Sequence, residues 1–437
     1  MASYEINDWT AFLKERLQSA KTQSKMFPTA SLPSEEIHIV VDKTEDLTAT
    51  AGGFSAQILR LHVSTVALSP EEPVYRTTCI VKRTKPEAIA SSVSLGISRE
   101  ADFFSYYAPL VDPDLHFLPT IFFSAVEGSG YKVVIMEDLT LRNGVQSGYF
   151  FGDHSIINHG KDLATLTRHF VDKGVSEKDI VLRAFDAAAR LHGRFWMSET
   201  LLAAEHGLFL RASGWIQGKD EASFKAIAGW AIAAWSAFLD KNATSDPPIV
   251  AMDPRVKALV DCAASQVDFA AYEKLWRSPT PGAVSGGLPW TLVHGDFHPA
   301  NMMVVDAQNP QQEGHKFDLT LLDFEAVGVG SGPQDLGQYM ISHSRPELRR
   351  QYEAAALSAY TSTLNEVIQI NQPGVPRVSI EDITKEYVEG GLCRWAWLFP
   401  VCCSVCPPSA LQYFHDQMLS FMTDHSVEPT SVGMMRP

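Results

Sequence analysis

The chain contains little cysteine, no long apolar run and no excess of positive charge, and each absence excludes a class of protein. Its 437 residues include six cysteines, which do not follow the spacing of a disulfide framework, so we expect a reducing compartment. No window approaches the roughly 18 uninterrupted apolar residues of a membrane span. The N-terminal residues Met1–Glu5 lack the basic and apolar regions of a signal peptide. Together these absences predict a cytoplasmic protein with no membrane partner.

The charge balance is acidic and argues against two large classes of partner. Lysine and arginine number 36 against 51 aspartates and glutamates, which gives a net charge of −15. Nucleic acids and anionic membranes attract basic surfaces, so we predict neither of them as a partner. A hydrophobic content of 45% is enough for the cores of two or three domains or lobes.

The most informative feature is a short polar motif followed by a second, acidic one. Residues 293–301 are Val-His-Gly-Asp-Phe-His-Pro-Ala-Asn, and residues 321–325 are Leu-Leu-Asp-Phe-Glu. Asp296 and Asn301 are therefore five residues apart, and Asp323 ends a later apolar run. In phosphoryl transfer one carboxylate takes the proton of an attacking hydroxyl, while an amide and a second carboxylate hold magnesium on the nucleotide phosphates. The motifs thus predict a kinase acting on small molecules.

Each of these side chains suits one role. Asp296 is the predicted general base, because a hydroxyl is a weak nucleophile at neutral pH unless a nearby group accepts its proton. Asp323 carries a full charge and is the predicted main ligand of Mg²⁺, while Asn301 offers a neutral oxygen as a second ligand. In an extended segment Glu325 would lie on the same side as Asp323 and support the metal or a cationic substrate. A solvated carboxylate is an equal alternative for Glu325.

A β-hairpin is predicted to bring these groups together. Residues 302–305 and 319–322 are short apolar runs that we expect to pair, and the polar stretch 306–318 supplies the turn. His294 is predicted to hydrogen-bond the catalytic loop rather than to react. Asp335 is predicted to cap the next helix and to brace the same loop.

The first part of the chain is predicted to form a mostly β lobe, with strands in the apolar runs 37–41, 58–63 and 77–82. Gly52, Gly53 and Ser55 lie between two of these strands. Paired glycines let a backbone approach a ligand closely and direct amide groups toward phosphate oxygens. An ordinary hairpin turn is the alternative, and the lack of a following Gly-Lys-Ser/Thr excludes a Walker loop.

A lysine and a glutamate in this lobe are predicted to form an ion pair. Lys82 ends an apolar strand and can reach nucleotide phosphates, while Glu100 lies in the following helix and can hold the ammonium in place. A solvated lysine at a strand end is the alternative interpretation. Arg83 and Lys85 are competing candidates for the phosphate-binding cation.

A further apolar strand ends at Met136, and we predict that the chain crosses there from one lobe to the other. Met136, Glu137 and Leu139 would present backbone groups to the edge of an adenine; this assignment rests on position alone. The predicted organisation is α+β, with a small, mostly β N-lobe over residues 1–138 and a larger, mostly helical C-lobe over 139–437.

The second part of the chain has helical periodicity after a polar loop or lid over 144–161. Ser176 is predicted to cap the first long helix, and further helices are predicted over 215–239, 255–276, 346–368 and 380–400. Trp395 and Trp397 cannot face the same way on one helix. One is predicted to pack in the core, and the other is a candidate for the substrate site.

The motifs resemble those of the aminoglycoside phosphotransferase and choline kinase superfamily, which shares the protein-kinase fold. The most specific parts are His294-Gly295-Asp296 with Asn301, followed by Asp323-x-Glu325 and Asp335-Leu336. The resemblance implies a two-lobed, protein-kinase-like α+β fold that uses ATP and Mg²⁺. It also implies that Asp296 is the base and that Asn301 and Asp323 bind the metal. Lys82, paired with Glu100, would bind the nucleotide phosphates.

Other segments are similar to the branch known as ecdysteroid kinase-like or CHK kinase-like. They are 137–139, 191–196, 335–340, 346–350 and Tyr360. That branch usually carries tryptophan and a second asparagine after its His-Gly-Asp, and often glutamine after the metal-binding aspartate. His298, Ala300 and Glu325 occupy these places here, so the resemblance does not imply one substrate. Ecdysteroids, amino alcohols, aminoglycosides and other hydroxylated natural products are candidates, with a weak preference for an amine.

Two functions of other classes remain open from the sequence. His294, Asp296 and His298 place three potential ligands within five residues, which is compatible with a metal-dependent hydrolase. A nucleotide-binding pseudokinase is the second alternative, although every catalytic position holds a competent residue. Protein substrates are less expected than small molecules, because the His-Arg-Asp and Asp-Phe-Gly motifs of protein kinases are absent from the chain.

Overall fold

A computed structural model gives the fold of the chain. It divides into two compact units, unit 1 (Met1–Val145) and unit 2 (Gln146–Pro437); the boundary predicted from the sequence lies slightly earlier, after residue 138. The structure describes residues 6, 8–17, 22, 25–27, 38–51, 56–66, 73–111, 117–127, 130–147, 162–198, 201, 221–271, 290–307 and 316–432.

Unit 1 is built on a five-stranded antiparallel sheet with the strand order β1-β2-β3-β5-β4. The strands are β1 (Ile39–Asp46), β2 (Ala56–Thr65), β3 (Arg76–Thr84), β4 (Ile121–Glu127) and β5 (Tyr131–Glu137). They are rich in β-branched and aromatic residues, which pack well on a pleated surface. The strands predicted from the apolar runs are confirmed, and each is longer than predicted.

The two faces of this sheet differ in chemistry, because successive side chains on a strand point to opposite sides. The apolar face packs against helix α1 (Trp9–Arg16), in a core that includes Trp9, Leu13, Leu59, Leu61, Val63, Cys79, Val81, Val133 and Ile135. Each fully buried aliphatic side chain there contributes about 1.5–3 kcal/mol. Lys82 follows Val81 and therefore points to the opposite face.

Besides α1, unit 1 contains further short helices. They are α2 (Thr48–Ala51), α3 (Ile89–Leu95) and α4 (Arg99–Asp102), which continues as a π-helix over Phe103–Tyr107. The helix predicted around 98–104 is thus one α-helical turn followed by π-helical geometry. The turn matters because it carries Glu100, which is fully buried.

Unit 2 is mostly helical. Its long helices are α5 (Leu163–Val171), α6 (Glu177–Arg194), α7 (Glu221–Thr244), α8 (Pro254–Ser265), α9 (Gly332–His343), α10 (Pro346–Asn371), α11 (Ile380–Val405) and α12 (Pro408–Asp424). The predicted cap at Ser176 is confirmed, since its hydroxyl accepts from the Asp179 amide in a capping box. The single helix predicted over 255–276 is wrong: α8 ends at Ser265, and Asp268 starts a new turn by accepting from the Ala270 amide.

Short strands complete unit 2 and hold the predicted catalytic loop. They are β6 (Gln146–Ser147), β7 (Thr291–Val293), β8 (Met302–Asp306), β9 (Phe317–Leu321) and β10 (Gly328–Gly330). β8 pairs antiparallel with β9 and with β6, and β7 pairs with β10. Met302 lies opposite Leu321, so the predicted hairpin is confirmed.

A mostly β unit followed by a mostly helical unit confirms the predicted α+β, protein-kinase-like fold class. None of the helices within the described ranges is both long and apolar enough to cross a membrane. Gly52, Gly53 and Ser55, and residues 148–161 of the predicted lid, lie outside the described residues.

Candidate active site

The predicted catalytic loop of unit 2 runs from the end of β7 to the start of β8. Gly295 has a φ of +83°, a left-handed conformation that glycine adopts without the steric cost of a Cβ atom. A single 3-10 turn, Pro299–Asn301, then leads directly into β8. The loop therefore changes direction immediately before Asp296 and again at Asn301.

Asp335 of α9 braces this loop from beneath. Its carboxylate accepts from the His294 amide at 2.8 Å and from the Gly295 amide at 3.2 Å. It is 1% exposed, and His192 Nε2 lies 3.5 Å from it. The predicted bracing contact is present, but the predicted cap is wrong, because the helix starts after Ser331 and the Asp335 side chain bonds the loop instead.

His294 is held as a neutral imidazole. Its Nε2 lies 2.8 Å from the carbonyl oxygen of Leu322, which can only accept, and its Nδ1 accepts from the Asp296 amide at 3.3 Å. Burial lowers the pKa of His294 and outweighs the opposing effect of nearby carboxylates. Both ring nitrogens are thus used within the loop, as predicted, and this removes His294 from the ligand set of the hydrolase alternative.

Two side chains that the sequence prediction missed, Gln338 of α9 and Arg394 of α11, also hold the loop. Arg394 is fully buried and donates from Nη2 to the Gly295 carbonyl at 3.0 Å. Its Nε lies 3.4 Å from Gln338 Oε1, while Gln338 Nε2 donates to Asp296 Oδ1 at 2.8 Å. A buried arginine is therefore linked to the predicted base through one amide side chain.

Hydrogen bonds to both oxygens orient the Asp296 carboxylate, and its side chain is still accessible to solvent. Gln338 binds Oδ1, and Asn301 Nδ2 donates to Oδ2 at 3.1 Å and to the Asp296 carbonyl at 2.9 Å. The side chain is 35% exposed, so a substrate hydroxyl can reach it. Burial raises the pKa of Asp296, but the charge of His298, the hydrogen bond from His298 and the charge of Arg394 outweigh burial and hold this pKa well below its usual range. The group is an ionised acceptor at neutral pH.

His298 lies against this carboxylate in the place where the resembled branch usually has tryptophan. Its Nε2 is 3.3 Å from Asp296 Oδ2, and its ring stacks on His343 with centroids 5.3 Å apart. Burial lowers the pKa of His298, yet the Asp296 carboxylate more than compensates and leaves this pKa raised. His298 is thus a positive or hydrogen-bonding neighbour of the predicted base.

Asn301 and Asp323 are brought to the same loop by backbone hydrogen bonds. The Leu322 amide donates to the Asn301 carbonyl at 2.9 Å, and the Leu322 carbonyl accepts from His294. Asp323 follows immediately, with φ +61° and ψ +65°, an uncommon conformation that costs of the order of 1–3 kcal/mol and clusters at functional sites. Because Asn301 uses its amide nitrogen on Asp296, its amide oxygen is the atom that it can offer to a metal.

The extended segment predicted at Glu325 is wrong, but its predicted proximity to Asp323 is confirmed, since carboxylate oxygens of the two residues lie within 4.8 Å of each other. Residues Phe324–Ala326 form a 3-10 turn rather than an extended segment, since the left-handed backbone at Asp323 redirects the chain. The Glu325 carboxylate therefore meets that of Asp323 through this turn and not through the alternation of a strand. The carboxylate is partly exposed, and its metal or substrate role stays a prediction.

In unit 1, Lys82 and Glu100 form the predicted ion pair. Lys82 Nζ lies 3.1 Å from Glu100 Oε1 and 3.0 Å from Oε2, and both residues are buried. Arg83 does not compete, because its guanidinium lies 5.5 Å from the Trp9 ring centroid on the apolar face. A third residue, Lys132, also donates to Glu100 Oε2 at 2.5 Å and was missed by the sequence prediction.

The residues predicted to meet adenine lie at the end of β5. Met136 and Leu139 are buried, at 8% and 6% exposure. The side chain of Glu137 is used structurally, since its Oε1 accepts from the Thr120 amide at 2.7 Å and from Arg142 at 2.7 Å. Any contribution of Glu137 to nucleotide binding would therefore come from its backbone, and the adenine role of all three residues stays a prediction.

Trp395 and Trp397 are both buried, at 3% and 0% exposure, although only one was predicted to lie in the core. The reason is that α11 contacts helices on several sides, namely α7, α8, α9, α10 and α12. Trp395 also packs against Phe414, with ring centroids 4.9 Å apart. Within the described residues neither indole nitrogen has a hydrogen-bond partner, and the substrate role of these residues stays a prediction.

The chain is similar to one protein family over part of its length and, weakly, to several solved structures. The family model described as the ecdysteroid kinase-like family matches residues 283–372, and no curated protein matches the chain. Choline kinase from Cryptosporidium parvum Iowa II is 11% identical, over 95% of this chain and 94% of its own, with a TM-score of 0.47. A microcompartment-associated aminopropanol kinase is 13% identical, over 93% and 97%, with a TM-score of 0.42.

A mutant of aminoglycoside 2'-phosphotransferase-IIIa in complex with GDP is 10% identical, over 94% of this chain and 98% of its own, with a TM-score of 0.44. These structural similarities are low, so the fold assignment rests on the sheet and helices of the chain itself. The matched segment contains Asp296, Asn301, Asp323 and Asp335. The resemblance to the ecdysteroid kinase-like family is thereby confirmed over residues 283–372.

Proposed function

We propose that this protein is a small-molecule kinase that uses ATP and Mg²⁺ to phosphorylate a hydroxyl group of an alcohol, an amino alcohol or a related natural product in the cytoplasm. One observation carries the proposal: an accessible carboxylate, Asp296, is hydrogen-bonded to Asn301 on one loop. The same loop is tied to Leu322, the residue before Asp323, by one backbone hydrogen bond from the Leu322 amide to the Asn301 carbonyl and by one hydrogen bond from the His294 side chain to the Leu322 carbonyl. The proposed base and the two proposed oxygen ligands for a metal therefore belong to segments joined by hydrogen bonds.

The donor set of unit 2 fits magnesium. Mg²⁺ prefers hard oxygen ligands and is usually held by one or two carboxylates together with substrate phosphates. Asp323 offers a carboxylate and Asn301 an amide oxygen, whereas the nitrogens of His294 are occupied by the protein. When bound, Mg²⁺ neutralises negative charge on the nucleotide phosphates.

The residues of the chain then have separate tasks. The oxygen of the substrate hydroxyl forms a bond to the γ-phosphorus of ATP, and Asp296 accepts the hydroxyl proton. The bond from that phosphorus to the bridging oxygen breaks, and ADP leaves. Gln338 and Asn301 keep the Asp296 carboxylate in one orientation. In unit 1, Lys82 offers positive charge to the phosphates, and Glu100 orients it. A positioned general base contributes roughly 10²–10⁴-fold to the rate.

Substrate class follows less directly. The chain carries a net charge of −15, and Glu325 offers a further carboxylate near Asp323 in sequence. Both features favour an acceptor with an amine over an anionic acceptor, since opposite charges raise the local concentration of a substrate. We therefore rank amino alcohols and aminoglycosides before neutral sterols, and we expect neither nucleic acid nor membrane as a partner.

A screen for ATP consumption over hydroxylated amines, aminoglycosides and sterols, with mass spectrometry of each product, tests the proposal. A product heavier by one phosphate, formed only with Mg²⁺, is the expected result. Magnesium-dependent ATP binding without turnover on any acceptor would indicate a pseudokinase. Hydrolysis without nucleotide and with tightly held zinc would indicate the hydrolase instead.

A further inference from the structure

We propose that Lys132 is a positioning residue for the phosphate-binding lysine: it fixes Glu100, and Glu100 in turn fixes Lys82. The inference rests on the proposed nucleotide-dependent function and adds to it a residue that the motifs do not contain. All three side chains belong to unit 1. They form one continuous chain of contacts, because Glu100 accepts from both ammonium groups.

The register of the sheet places both lysines on one face. Lys82 of β3 lies directly opposite Val134 of β5. Lys132 is two residues before Val134 on the same strand, so its side chain projects to the same side as those of Val134 and Lys82. Two neighbouring strands thus direct an ammonium group each toward a single carboxylate.

The two lysines differ in their distance from solvent. Lys132 is fully buried, with a side chain 1% exposed, whereas the side chain of Lys82 is 9% exposed. Lys132 Nζ lies 2.5 Å from Glu100 Oε2, while Lys82 Nζ lies within 3.1 Å of both oxygens. Lys132 is therefore the lysine less accessible to solvent, and Lys82 is the lysine better able to meet a ligand.

The backbone around the two partners explains why Glu100 needs a support. Lys132 lies in β5, between β3 and β4; it pairs with Val126 of β4, and its amide donates to Thr84 Oγ1 of β3 at 3.1 Å. Glu100 lies on α4, a single turn that continues as a π-helix. A short helical turn has few intrahelical hydrogen bonds to fix it. An ion pair to the central sheet supplies the missing constraint.

A purely structural role of Lys132 predicts a different outcome when this residue is replaced by methionine. Burying an ammonium costs hydration energy, and replacing a buried ion pair by an apolar residue of similar volume is often neutral or stabilising. Lys132→Met leaves Glu100 with Lys82 as a partner, so we expect the fold to persist. If Lys132 only filled the core, the affinity for nucleotide would not change.

The test is a double-mutant cycle on the dissociation constant of Mg-ATP, measured by calorimetry for the full chain. We expect Lys132→Met to weaken binding roughly tenfold, the size of one lost charge-assisted hydrogen bond. Because Lys132 acts through Lys82, it should have no further effect in the Lys82→Met background. The melting temperature of each variant is recorded alongside.

Two other outcomes overturn the inference. Equal losses in both backgrounds would mean that Lys132 acts on the phosphates independently, and an unchanged dissociation constant would mean that it is structural. If Lys132→Met does not fold, Lys132→Ala, which also removes the donor to Glu100, replaces it in the cycle, while Lys132→Gln and Lys132→Arg keep a donor. Retained affinity in both Lys132→Gln and Lys132→Arg supports the inference when Lys132→Ala loses it.

Arg83→Met is the matched control. It removes a cation next to Lys82 in sequence, but from the opposite face of the sheet, where Arg83 bonds Gln57 and lies over Trp9. It should leave the affinity for Mg-ATP unchanged. If the wild-type protein binds no Mg-ATP, the proposed function is wrong. If the wild type binds Mg-ATP and Lys132→Met binds it equally well, only this inference is wrong.

Discussion

Gly337 of α9 and Gly391 of α11 touch backbone to backbone: a Cβ atom added to Gly337 would lie 2.6 Å from the Cα of Gly391. The two helices can approach this closely only without side chains at the crossing. Gln338 follows one glycine, and Arg394 lies one turn beyond the other. The close crossing therefore sets the distance between the two side chains that hold Asp296 and Gly295.

Substituting this glycine is expected to impair both stability and activity. In Gly337→Ala the added methyl group meets backbone atoms that cannot rotate away, so the helices must separate. We expect a loss of about 1–3 kcal/mol in the free energy of unfolding, the usual cost of overpacking. Turnover should fall with it, because Gln338 moves relative to Asp296. Denaturant unfolding and steady-state kinetics measure the two effects.

Gly229→Ala provides the control for that substitution. Gly229 lies in α7, and a Cβ atom added there meets nothing within 4 Å. Because alanine is a better helix former than glycine, this variant should be up to about 1 kcal/mol more stable and unchanged in turnover. Equal effects of the two substitutions would refute the role of the crossing.

Asp138 is expected to make unit 1 sensitive to acid. Its side chain, 2% exposed, accepts from Arg60, Thr78 and Thr140. Burial raises the pKa of this carboxyl, but the hydrogen bonds outweigh burial and lower it below its ordinary value. The unfolded state then binds a proton more readily than the folded state, so stability rises with pH in this range. The contribution is complete above the pKa of an unfolded aspartate, about 3.9, and is lost as the pH falls below it.

The check is the pH dependence of the free energy of unfolding from roughly pH 6 to pH 3, across this titration. Wild type should lose stability more steeply toward low pH than Asp138→Asn, which cannot titrate. Asp240→Asn, at an exposed position of α7, should follow the wild-type curve. Parallel curves for wild type and Asp138→Asn would contradict the prediction.

Asp323→Asn separates charge from backbone conformation at the predicted metal ligand. Asparagine tolerates the left-handed region about as well as aspartate, so the backbone at φ +61° should persist while the charge is lost. We expect the Mg²⁺-dependent affinity for ATP to fall by about tenfold or more, since Mg²⁺ favours carboxylate oxygens. Calorimetric titration with ATP, with and without Mg²⁺, measures it.

Asp306→Asn is the comparison variant for this experiment. Asp306 ends β8 in the same hairpin, but its carboxylate pairs with Lys173 and His169. Its substitution should leave the metal-dependent affinity intact. If Asp323→Asn also leaves it intact, the metal ligand must be sought elsewhere.

Local sequence patterns predicted the parts of the molecule that local interactions determine. Ser176 with Asp179, the β8–β9 hairpin and the apolar strands each carry their signal within a few residues. The Lys82–Glu100 pair was predictable because a known chemistry requires it, although the two residues are 18 positions apart. Glu325 shows the limit: it does lie near Asp323, but through a 3-10 turn that follows a left-handed residue and not through the predicted extended segment.

The two residues that hold the catalytic loop, Arg394 and Gln338, could not be predicted in the same way. Arg394 bonds Gly295 across 99 positions, and Gln338 bonds Asp296 across 42, so their partners depend on how helices pack. A weak signal did exist: Lys132 and Arg394 are charged residues inside apolar runs. Such residues are rarely buried without a partner, so their positions indicate buried ion pairs or hydrogen bonds.

If Asp296 takes the proton of a substrate hydroxyl, phosphate transfer must slow when this carboxylate is removed, and the rate of transfer by Asp296→Asn measures that effect. The variant should bind Mg-ATP nearly as wild type does and transfer phosphate to the acceptor found in the screen at least about a hundredfold more slowly, the lower range for a lost base. Transfer at close to the wild-type rate, with the same product by mass spectrometry, would contradict the account.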